Sequence, residues 1–368
     1  MLKLAIVFGT RPEAIKMAPL VKECRKVAAW DTRVIVTGQH REMVDQVLEI
    51  FDLKADYDLN IMSHGQTLND ISERTLRGMA GIFKEWRPDL VLVHGDTSTA
   101  FAAALASFHE RIPVGHVEAG LRTPSVQNPF PEEANRRLID VLASWYFAPT
   151  ERAAQNLRGE GADPERIFVT GNTVIDALLS VVEEGYQFTT PELQRLDRER
   201  PVIVVTAHRR ENWGQPLQGI CRALLEISAQ SDAQIVVAMH RNPNIQAIMK
   251  DLLGSDEKII LVDAPGYKEF ANLLACSTLL LTDSGGLQEE APALHKPVLV
   301  MREVTERPEA LEAGTVKLVG SETDSIVSAV LELLRDDELY RRMSSAPNPY
   351  GDGTAAQRIC EILQEKYK

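Results

Sequence analysis

Short runs of aliphatic and β-branched residues alternate with longer amphipathic stretches along this 368-residue chain. In the first half the runs are KLAIVFG, RVIVTG, DLVLVHGD and PVGHVEAG, and in the second half they are VIVVTAH, QIVVAMH, IILVDAP and TLLLTDSGG. Buried strands that alternate with helices form a parallel sheet covered on both faces. The pattern therefore predicts an α/β protein.

A polar stretch around Gly185, Pro191 and LQRLDRERP separates the two series of runs. Because a chain of this length is long for a single hydrophobic core, we expect two domains. We predict Rossmann-like, doubly wound domains over residues 1–172 and 173–353. The segment NPYGDG (348–353) precedes a last helix, 354–368, which we expect to return to the first domain.

Composition limits the classes of partner that this chain can bind. With 44% hydrophobic residues, 25% charged residues and a formal net charge of −13, the chain is typical of a soluble globular protein. An acidic balance argues against non-specific binding to nucleic acid or to an anionic membrane surface. The four cysteines form no CxxC pair, and the N-terminal run LAIVF is too short for a signal peptide. We therefore expect a cytoplasmic protein.

The stretch LLLTDSGGLQEEAPAL (279–294) reads as a strand, a turn without side chains, and a helix. The backbone N–H groups of Gly285 and Gly286 can approach a ligand closely where the helix begins, which favours an anion site. Glu289 or Glu290 can accept hydrogen bonds from a pair of sugar hydroxyls. The stretch therefore indicates a nucleotide or nucleotide sugar. The alternative is an ordinary turn whose acids complement the helix dipole.

Other strand ends of the first half also carry polar residues, and ligands of such sheets bind beyond these ends. Arg11 and Lys16 follow the first strand, Asp96 follows DLVLVHG, and Glu118 follows PVGHV. The alternative for Asp96 is that its side chain caps a helix. In PFPEEANRR a helix begins at Pro131, and Glu132 and Arg136 have the spacing of an ordinary surface ion pair.

In the second half, TAHRREN (206–212) ends a strand with His208, Arg209 and Arg210, and TERPEA adds Arg307. Arginine suits phosphate because its guanidinium makes bidentate contacts. A solvated charge cluster is the alternative. One domain thus collects anion-binding groups, and the other collects carboxylates.

A metal site is a further alternative for the first domain. His94, Asp96, His116 and Glu118 form two pairs at neighbouring strand ends, a spacing that could project ligands towards a divalent cation.

Many longer motifs, in order along almost the whole chain, resemble those of one enzyme family, the bacterial non-hydrolysing UDP-N-acetylglucosamine 2-epimerases. They are FGTRPEAIKMAPL, TGQHREM, VHGDT, PVGHVEAGLRT, PFPEEANRR, FVTGNTVIDAL, TAHRREN, LLLTDSGGLQEEAP, KPVLVMR, TERPEA, AGTVKLVG and NPYGDG. The resemblance implies a glycosyltransferase-B architecture, with two Rossmann-like domains around a cleft, usually in a homodimer. It also implies interconversion of UDP-N-acetylglucosamine and UDP-N-acetylmannosamine, with no redox cofactor and no metal.

The resemblance carries the family's site residues onto this sequence position by position. The substrate-binding positions fall on Arg11, Lys16, Asp96, Glu118, His208, Phe270, Ser284, Gly285, Gly286, Glu290 and Arg307, to which we add Arg209 from the TAHRREN cluster. Residues that resemble those assigned to chemistry are Asp96, Glu118, Glu132, Arg136 and His208. On this basis Ser284, Gly285, Gly286 and Arg307 hold the diphosphate, and Glu290 binds the ribose hydroxyls.

The neighbourhood of QHREM and GQTL resembles an activator pocket, for which we name Gln39, His40 and Gln66. The chain departs from the family at Gln127 and Asn128, before PFPEE, and at Arg241 in HRNP. The departures bear on loop contacts and on any activator site, whereas the core motifs are unchanged.

The family's chemistry explains why carboxylates are needed without a cofactor. Loss of UDP develops positive charge at carbon 1 of the sugar, and this acidifies the hydrogen on carbon 2, so that a carboxylate can remove it. The product is 2-acetamidoglucal, to which UDP adds back. Which of Asp96, Glu118 and Glu132 is the base and which the acid stays open.

Three rival classes remain. A glycosyltransferase would need an acceptor, a hydrolysing epimerase would release free N-acetylmannosamine, and a nucleotide-sugar sensor would not need the carboxylates. A NAD-dependent dehydrogenase is disfavoured because no GxGxxG follows a strand.

Overall fold

A computed structural model describes residues 1–39, 41–209, 212–240 and 242–368 of the chain. The chain divides into two compact units, the first made of Met1–Ala177 and Tyr350–Lys368 and the second of Leu178–Pro349. The domain boundaries proposed from the sequence, after residues 172 and 353, stay predictions.

The first unit contains a seven-stranded parallel sheet in the order β3-β2-β1-β4-β5-β6-β7. Its strands are β1 Leu2–Phe8, β2 Trp30–Val36, β3 Tyr57–Asp58, β4 Leu90–His94, β5 Val114–Val117, β6 Trp145–Ala148 and β7 Ile167–Val169. Its helices are α1 Arg11–Arg25, α2 Arg41–Ile50, α3 Leu68–Glu85, α4 Ser98–His109, α5 Glu132–Leu142, α6 Glu151–Gly159, α7 Thr173–Val181, within which the unit ends, and the C-terminal helix, Ala355–Lys366.

The second unit contains a six-stranded parallel sheet in the order β10-β9-β8-β11-β12-β13. Its strands are β8 Val202–Thr206, β9 Gln234–Met239, β10 Ile259–Asp263, β11 Leu279–Thr282, β12 Val298–Val300 and β13 Val316–Leu318. Its helices are α8 Gln215–Gln230, α9 Pro243–Leu253, α10 Tyr267–Cys276, α11 Leu287–Ala293, α12 Pro308–Ala313, α13 Thr323–Arg335 and α14 Asp337–Ser344. The C-terminal helix of the first unit is α15.

The central strands are buried on both faces, which explains their continuous aliphatic composition. In β1, the residues from Leu4 to Phe8 are fully buried, and Val204 and Val205 of β8 are fully buried as well. Helices therefore cover each sheet on both sides. The predicted fold class, α/β with two Rossmann-like doubly wound domains, is confirmed by these two sheets.

The strand order reverses direction beside the first strand of each sheet, between β1 and β4 in one unit and between β8 and β11 in the other. Ligands of open α/β sheets bind in the crevice at such a switch point, beyond the carboxyl ends of the strands. Arg11 and Asp96 follow β1 and β4, and His208 and Ser284 follow β8 and β11. The topology therefore places predicted site residues at each switch point.

None of the helices in the described ranges is long and apolar enough to cross a membrane.

Candidate active site

The turn between β1 and α1 is organised by the buried carboxylate of Glu13. This carboxylate accepts hydrogen bonds from the N–H groups of Gly9 (3.1 Å) and Thr10 (2.8 Å). It also accepts hydrogen bonds from the hydroxyls of Thr10 (2.8 Å) and Thr97 (2.6 Å). Burial raises the pKa of Glu13 despite these donors. The contacts join the start of α1, where Arg11 lies, to the turn after β4.

Asp96 lies in that second turn and forms an ion pair with Arg136 of α5. Nη2 of Arg136 contacts Oδ2 of Asp96, and Nε lies 3.1 Å from the same oxygen. Asn135 donates its side-chain N–H to the Asp96 carbonyl at 2.9 Å. Helix α4 is capped by Thr97, whose hydroxyl accepts from the Ala100 N–H at 3.0 Å. The alternative in which Asp96 caps this helix is therefore wrong.

Glu132 begins α5 and lies at the edge of the same region. The spacing suggested a surface pair between Glu132 and Arg136, but Arg136 instead contacts Asp96 and Glu133, the latter at 3.1 Å. Within the described parts of the chain, the carboxylate of Glu132 forms no hydrogen bond or ion pair. Its carboxylate is thus available to a ligand.

Glu118 follows β5 in a left-handed backbone conformation, with φ of +67°. Such a conformation is uncommon for a residue other than glycine and recurs at functional sites. It is held by a bulge, because the N–H groups of Glu118 and Ala119 both donate to the Phe147 carbonyl, at 3.0 and 3.1 Å. Oε2 of Glu118 lies 2.5 Å from Nζ of Lys16 and 2.8 Å from Nδ2 of Asn172.

His94, at the end of β4, is a buried neutral imidazole beside Glu118. Its Nε2 lies 3.8 Å from Oε2 of Glu118 and has no hydrogen-bond partner within the described residues. Burial lowers the pKa of His94 to about 3, which outweighs the opposing effect of Glu118. The two side chains are therefore not an ion pair near neutral pH, despite their proximity.

His116 belongs to a buried network of polar side chains. Its Nδ1 lies 2.6 Å from Oδ1 of Asp140, and its Nε2 lies 2.7 Å from the Gly95 carbonyl. Arg122 lies 2.7 Å from the other oxygen of Asp140. Although burial acts to raise the pKa of Asp140, His116 and Arg122 together hold it below its usual value. The network fixes the carbonyl of the residue that precedes Asp96.

In the described parts of the chain, no three His, Cys, Asp or Glu side chains are grouped so that they could hold a metal ion. The metal site considered as an alternative for the first domain therefore has no matching arrangement among these residues.

Groups from the first turns of α1, from the end of β4 and the turn after it, from the turn after β5 and from the start of α5 surround a cavity of about 320 Å³ in the first unit. Its polar lining includes Lys16, Gln39, His94, Asp96, Glu118 and Glu132. This set contains predicted catalytic and substrate-binding residues and one predicted activator residue. Arg11, half-buried at the start of α1, is not part of the lining.

Of the described residues predicted for an activator pocket, one lines this cavity and one does not. Gln39 lines the cavity and accepts a hydrogen bond from the Thr99 hydroxyl at 2.8 Å. Gln66 accepts from the Ser63 N–H at 3.2 Å and does not line the cavity. His40 lies outside the described residues, as do Arg210 and Arg241.

In the second unit, Asp283 organises the loop that carries His208. Its buried carboxylate accepts from the N–H groups of His208 (2.9 Å) and Arg209 (2.8 Å) and from Nδ2 of Asn212 (2.9 Å). Nδ1 of His208 lies 2.8 Å from Oδ1 of Asp283. Burial acts to raise the pKa of Asp283, but His208 and the other donors hold it below its usual value. Because Nδ1 is used, Nε2 is the nitrogen that His208 can present to a ligand.

Sequence reasoning treated Asp283 only as the end of a strand and missed this role. The signal available in the sequence was an acidic residue at the end of the apolar run TLLLTDSGG, directly before Ser284.

The SGG segment, residues 284–286, leaves its backbone accessible to a ligand. A Cβ at Gly285 would meet Nη2 of Arg209 at 3.6 Å, and a Cβ at Gly286 would meet Oε2 of Glu290 at 3.9 Å. Both distances are ordinary contacts, so the turn itself does not require glycine. The missing side chains instead expose the backbone between Arg209 and Glu290, which suits a ligand with a negative charge and hydroxyl groups.

The arginines predicted for phosphate have carboxylate partners. Nε of Arg307 contacts Oε1 of Glu289, which is buried. Nη2 of Arg209 lies 3.5 Å from Glu306, which also accepts from Arg302 at 2.7 Å. Glu289 therefore contacts an arginine, whereas Oε2 of Glu290 lies beside Gly286. Phe270 lies in α10 and is partly buried.

Comparison with known proteins gives consistent similarities over the full chain. A family model described as UDP-N-acetylglucosamine 2-epimerase matches residues 22–364. A UDP-N-acetylglucosamine 2-epimerase of Escherichia coli O157:H7 is 52% identical over an alignment of 370 positions, which covers 99% of this chain and 98% of the relative.

Two solved structures have similar folds. The UDP-GlcNAc 2-epimerase from Neisseria meningitidis, bound to UDP-GlcNAc, is 47% identical with a TM-score of 0.87, and the match covers 99% of this chain and 100% of that one. The enzyme from Methanocaldococcus jannaschii, in complex with UDP-GlcNAc and UDP, is 35% identical with a TM-score of 0.78, and the match covers the same shares of the two chains.

Proposed function

Because the chain belongs to the UDP-N-acetylglucosamine 2-epimerase family, we propose that it interconverts UDP-N-acetylglucosamine and UDP-N-acetylmannosamine by eliminating UDP and adding it back. The protein is an isomerase, and its ligand is a UDP-sugar. The observation that carries the proposed mechanism is the cavity at the β1/β4 switch point, which gathers Asp96, Glu118 and Glu132. An epimerisation through elimination needs both a base and an acid beside the sugar.

Proton transfer is assigned to the first unit. Among the described residues, the Glu132 side chain has no hydrogen bond or ion pair, and Glu118 contacts Lys16 and Asn172. Asp96 contacts Arg136, which we propose holds the orientation of this carboxylate. Together they provide the acid and base that the two directions of the reaction require.

Stabilisation of the leaving diphosphate is assigned to Arg11, His208 and Arg307 with the backbone N–H groups of the SGG segment. Cations and fixed dipoles directed at a developing negative charge supply a large share of catalysis in such reactions. His208 is suited to the role because Asp283 holds Nδ1 and leaves Nε2 for the ligand. Glu290, beside Gly286, is assigned to the ribose hydroxyls.

The test is direct conversion followed by proton NMR. UDP-N-acetylglucosamine alone should yield UDP-N-acetylmannosamine, without an acceptor or a nicotinamide. A requirement for an acceptor would indicate a glycosyltransferase, and accumulation of free N-acetylmannosamine would indicate a hydrolysing epimerase. Either result would overturn the proposal.

We further propose that the protein is a cytoplasmic homodimer activated by UDP-N-acetylglucosamine, as in the family that it resembles. Support for the compartment comes from the four cysteines, all of which are free thiols. Support for activation comes from Gln39, which lines the same cavity as the carboxylates. Light scattering after gel filtration tests the dimer, since a monomer at working concentration would contradict it.

A further inference from the structure

We propose that Asn172 is a positioning residue for the reaction, which holds the Glu118 carboxylate in place through its side-chain amide. The inference rests on the proposed function, because it assigns a partner to one of the carboxylates placed in the chemistry. Asn172 lies in the motif GNTVID, immediately before α7, and is 3% exposed.

The orientation of the Asn172 amide follows from two of its contacts. Its Oδ1 accepts the Val174 N–H at 3.1 Å. Its Nδ2 lies 2.8 Å from Oε2 of Glu118. Because an N–H can only meet the oxygen of the amide, the NH₂ group must face Glu118. Asn172 therefore donates to the carboxylate.

The backbone of Asn172 is also anchored within the first unit. Its N–H donates to the Tyr350 carbonyl at 2.7 Å. At the preceding residue, a Cβ on Gly171 would lie 3.3 Å from Cα of Gly351. Two chain segments thus meet closely here, and the donor that faces Glu118 is fixed by both of them.

Glu118 has a specific need for such a donor. Its other partner on Oε2 is Lys16, which is assigned to the substrate. If Lys16 turns towards the diphosphate, Asn172 remains as a neutral donor on the carboxylate. An uncharged donor fixes the position of Glu118 without the charge of a second cation. Oε1 of Glu118 then stays on the side of Gly95, where a Cβ would lie 3.6 Å from it.

The decisive variant is Asn172→Asp, which is almost isosteric. An oxygen remains to accept the Val174 N–H, so the contact at the start of α7 is kept, but the donor to Glu118 is replaced by a second carboxylate. We expect kcat to fall on the order of 100-fold, within the range of a disturbed general acid or base. The KM for UDP-N-acetylglucosamine and the affinity for UDP should change less than about 3-fold, since no assigned substrate contact is removed.

The variant Asn172→Ala removes both contacts and is compared with Thr150→Ala in the same unit. Thr150 caps α6 by accepting the Ala153 N–H at 3.2 Å, away from the cavity lining. Both alanine variants should lower the melting temperature. Only Asn172→Ala should lower kcat, by roughly 10–100-fold, the range known for partners that orient reactive groups.

The outcomes separate this inference from the proposed function. If wild-type protein does not epimerise the substrate, the proposed function fails first. If the wild type is active and Asn172→Asp retains normal kcat, the positioning role is wrong. A parallel loss of kcat, UDP affinity and melting temperature in Asn172→Asp would show a merely structural role and would also overturn the inference.

Discussion

The ammonium group of Lys16 lies 2.5 Å from Oε2 of Glu118, and the two side chains are 21% and 10% exposed. A cation assigned to the substrate is therefore paired with a carboxylate assigned to the chemistry. We expect Lys16→Met to weaken UDP binding by about 1.5–3 kcal/mol, the scale of a hydrogen bond to a charged group, and to lower kcat as well, because Glu118 loses one of its partners. Titration calorimetry and steady-state kinetics measure the two effects.

The matched control for this variant is Lys22→Met on the same helix, where the side chain is exposed. It should leave both quantities unchanged. Normal UDP affinity in Lys16→Met would remove Lys16 from the substrate site.

A second prediction concerns Asp140, whose pKa is held below its usual value by His116 and Arg122 against the effect of burial. A lowered pKa in the folded state stabilises the protein at pH values above the unfolded pKa, and this contribution is lost as the pH falls through the folded pKa. We expect Asp140→Asn to reduce the free energy of unfolding by about 1–3 kcal/mol near neutral pH.

The difference between wild type and Asp140→Asn should shrink as the pH falls below about 4, the usual pKa of an aspartate in an unfolded chain, and should be lost as the pH falls through the lowered pKa of the folded state. Denaturant titration at several pH values measures it. As a control, Asp45→Asn breaks an exposed pair with Arg41 and should cost at most about 0.5 kcal/mol. A difference that is constant with pH would contradict the assigned charge of Asp140.

The pair between Arg307 and Glu289 gives a third prediction. Arg307→Ala should weaken UDP binding by about 1.5–3 kcal/mol, because a cation at the diphosphate is lost. Glu289→Gln removes the carboxylate that neutralises Arg307 and should leave UDP binding equal or tighter. Calorimetry with UDP compares both with Arg342→Ala, an exposed arginine of the same unit. Unchanged affinity in Arg307→Ala would mean that this residue serves only the contact with Glu289.

Activation is the subject of the fourth prediction. If a second UDP-N-acetylglucosamine binds beside Gln39, initial rates should depend sigmoidally on this substrate. Reverse turnover of UDP-N-acetylmannosamine should be sluggish until a little UDP-N-acetylglucosamine is added. Gln39→Ala should reduce this stimulation. Hyperbolic curves in both directions would rule out the activator site.

The strands that the sequence predicted are those with long aliphatic runs. KLAIVFG, DLVLVHGD and VIVVTAH correspond to β1, β4 and β8, and the other five predicted runs also form strands. Five strands, β3, β6, β7, β12 and β13, were not predicted. Each has only two to four residues, so their patterns are too brief to separate from the ends of helices.

Contacts between distant residues mark the limit of sequence reasoning about the site. The spacing of Glu132 and Arg136 suggested a local pair, yet Arg136 contacts Asp96 from another strand end. Asn172 reaches Glu118 across 54 positions. Periodicity and spacing describe neighbours along one element, whereas these contacts depend on the strand order. The motifs located the residue types, and the fold determined their partners.

The central claim is that UDP leaves and the hydrogen on carbon 2 is removed by a carboxylate of the first unit. Removal of this hydrogen lets it exchange with solvent. We expect this exchange to be slowed on the order of 10²–10⁴-fold, the range for loss of a general acid or base, in each of the variants Asp96→Asn, Glu118→Gln and Glu132→Gln. UDP binding should be retained in all of them. A variant that exchanges at the normal rate loses its assigned role.

The most direct test of that claim is incubation of wild-type protein with UDP-N-acetylglucosamine in deuterium oxide, followed by NMR and mass spectrometry of both epimers. Elimination and re-addition predict deuterium on carbon 2 of UDP-N-acetylglucosamine and of UDP-N-acetylmannosamine, with no acceptor and no nicotinamide present. Turnover of the substrate that leaves carbon 2 unlabelled would contradict the account.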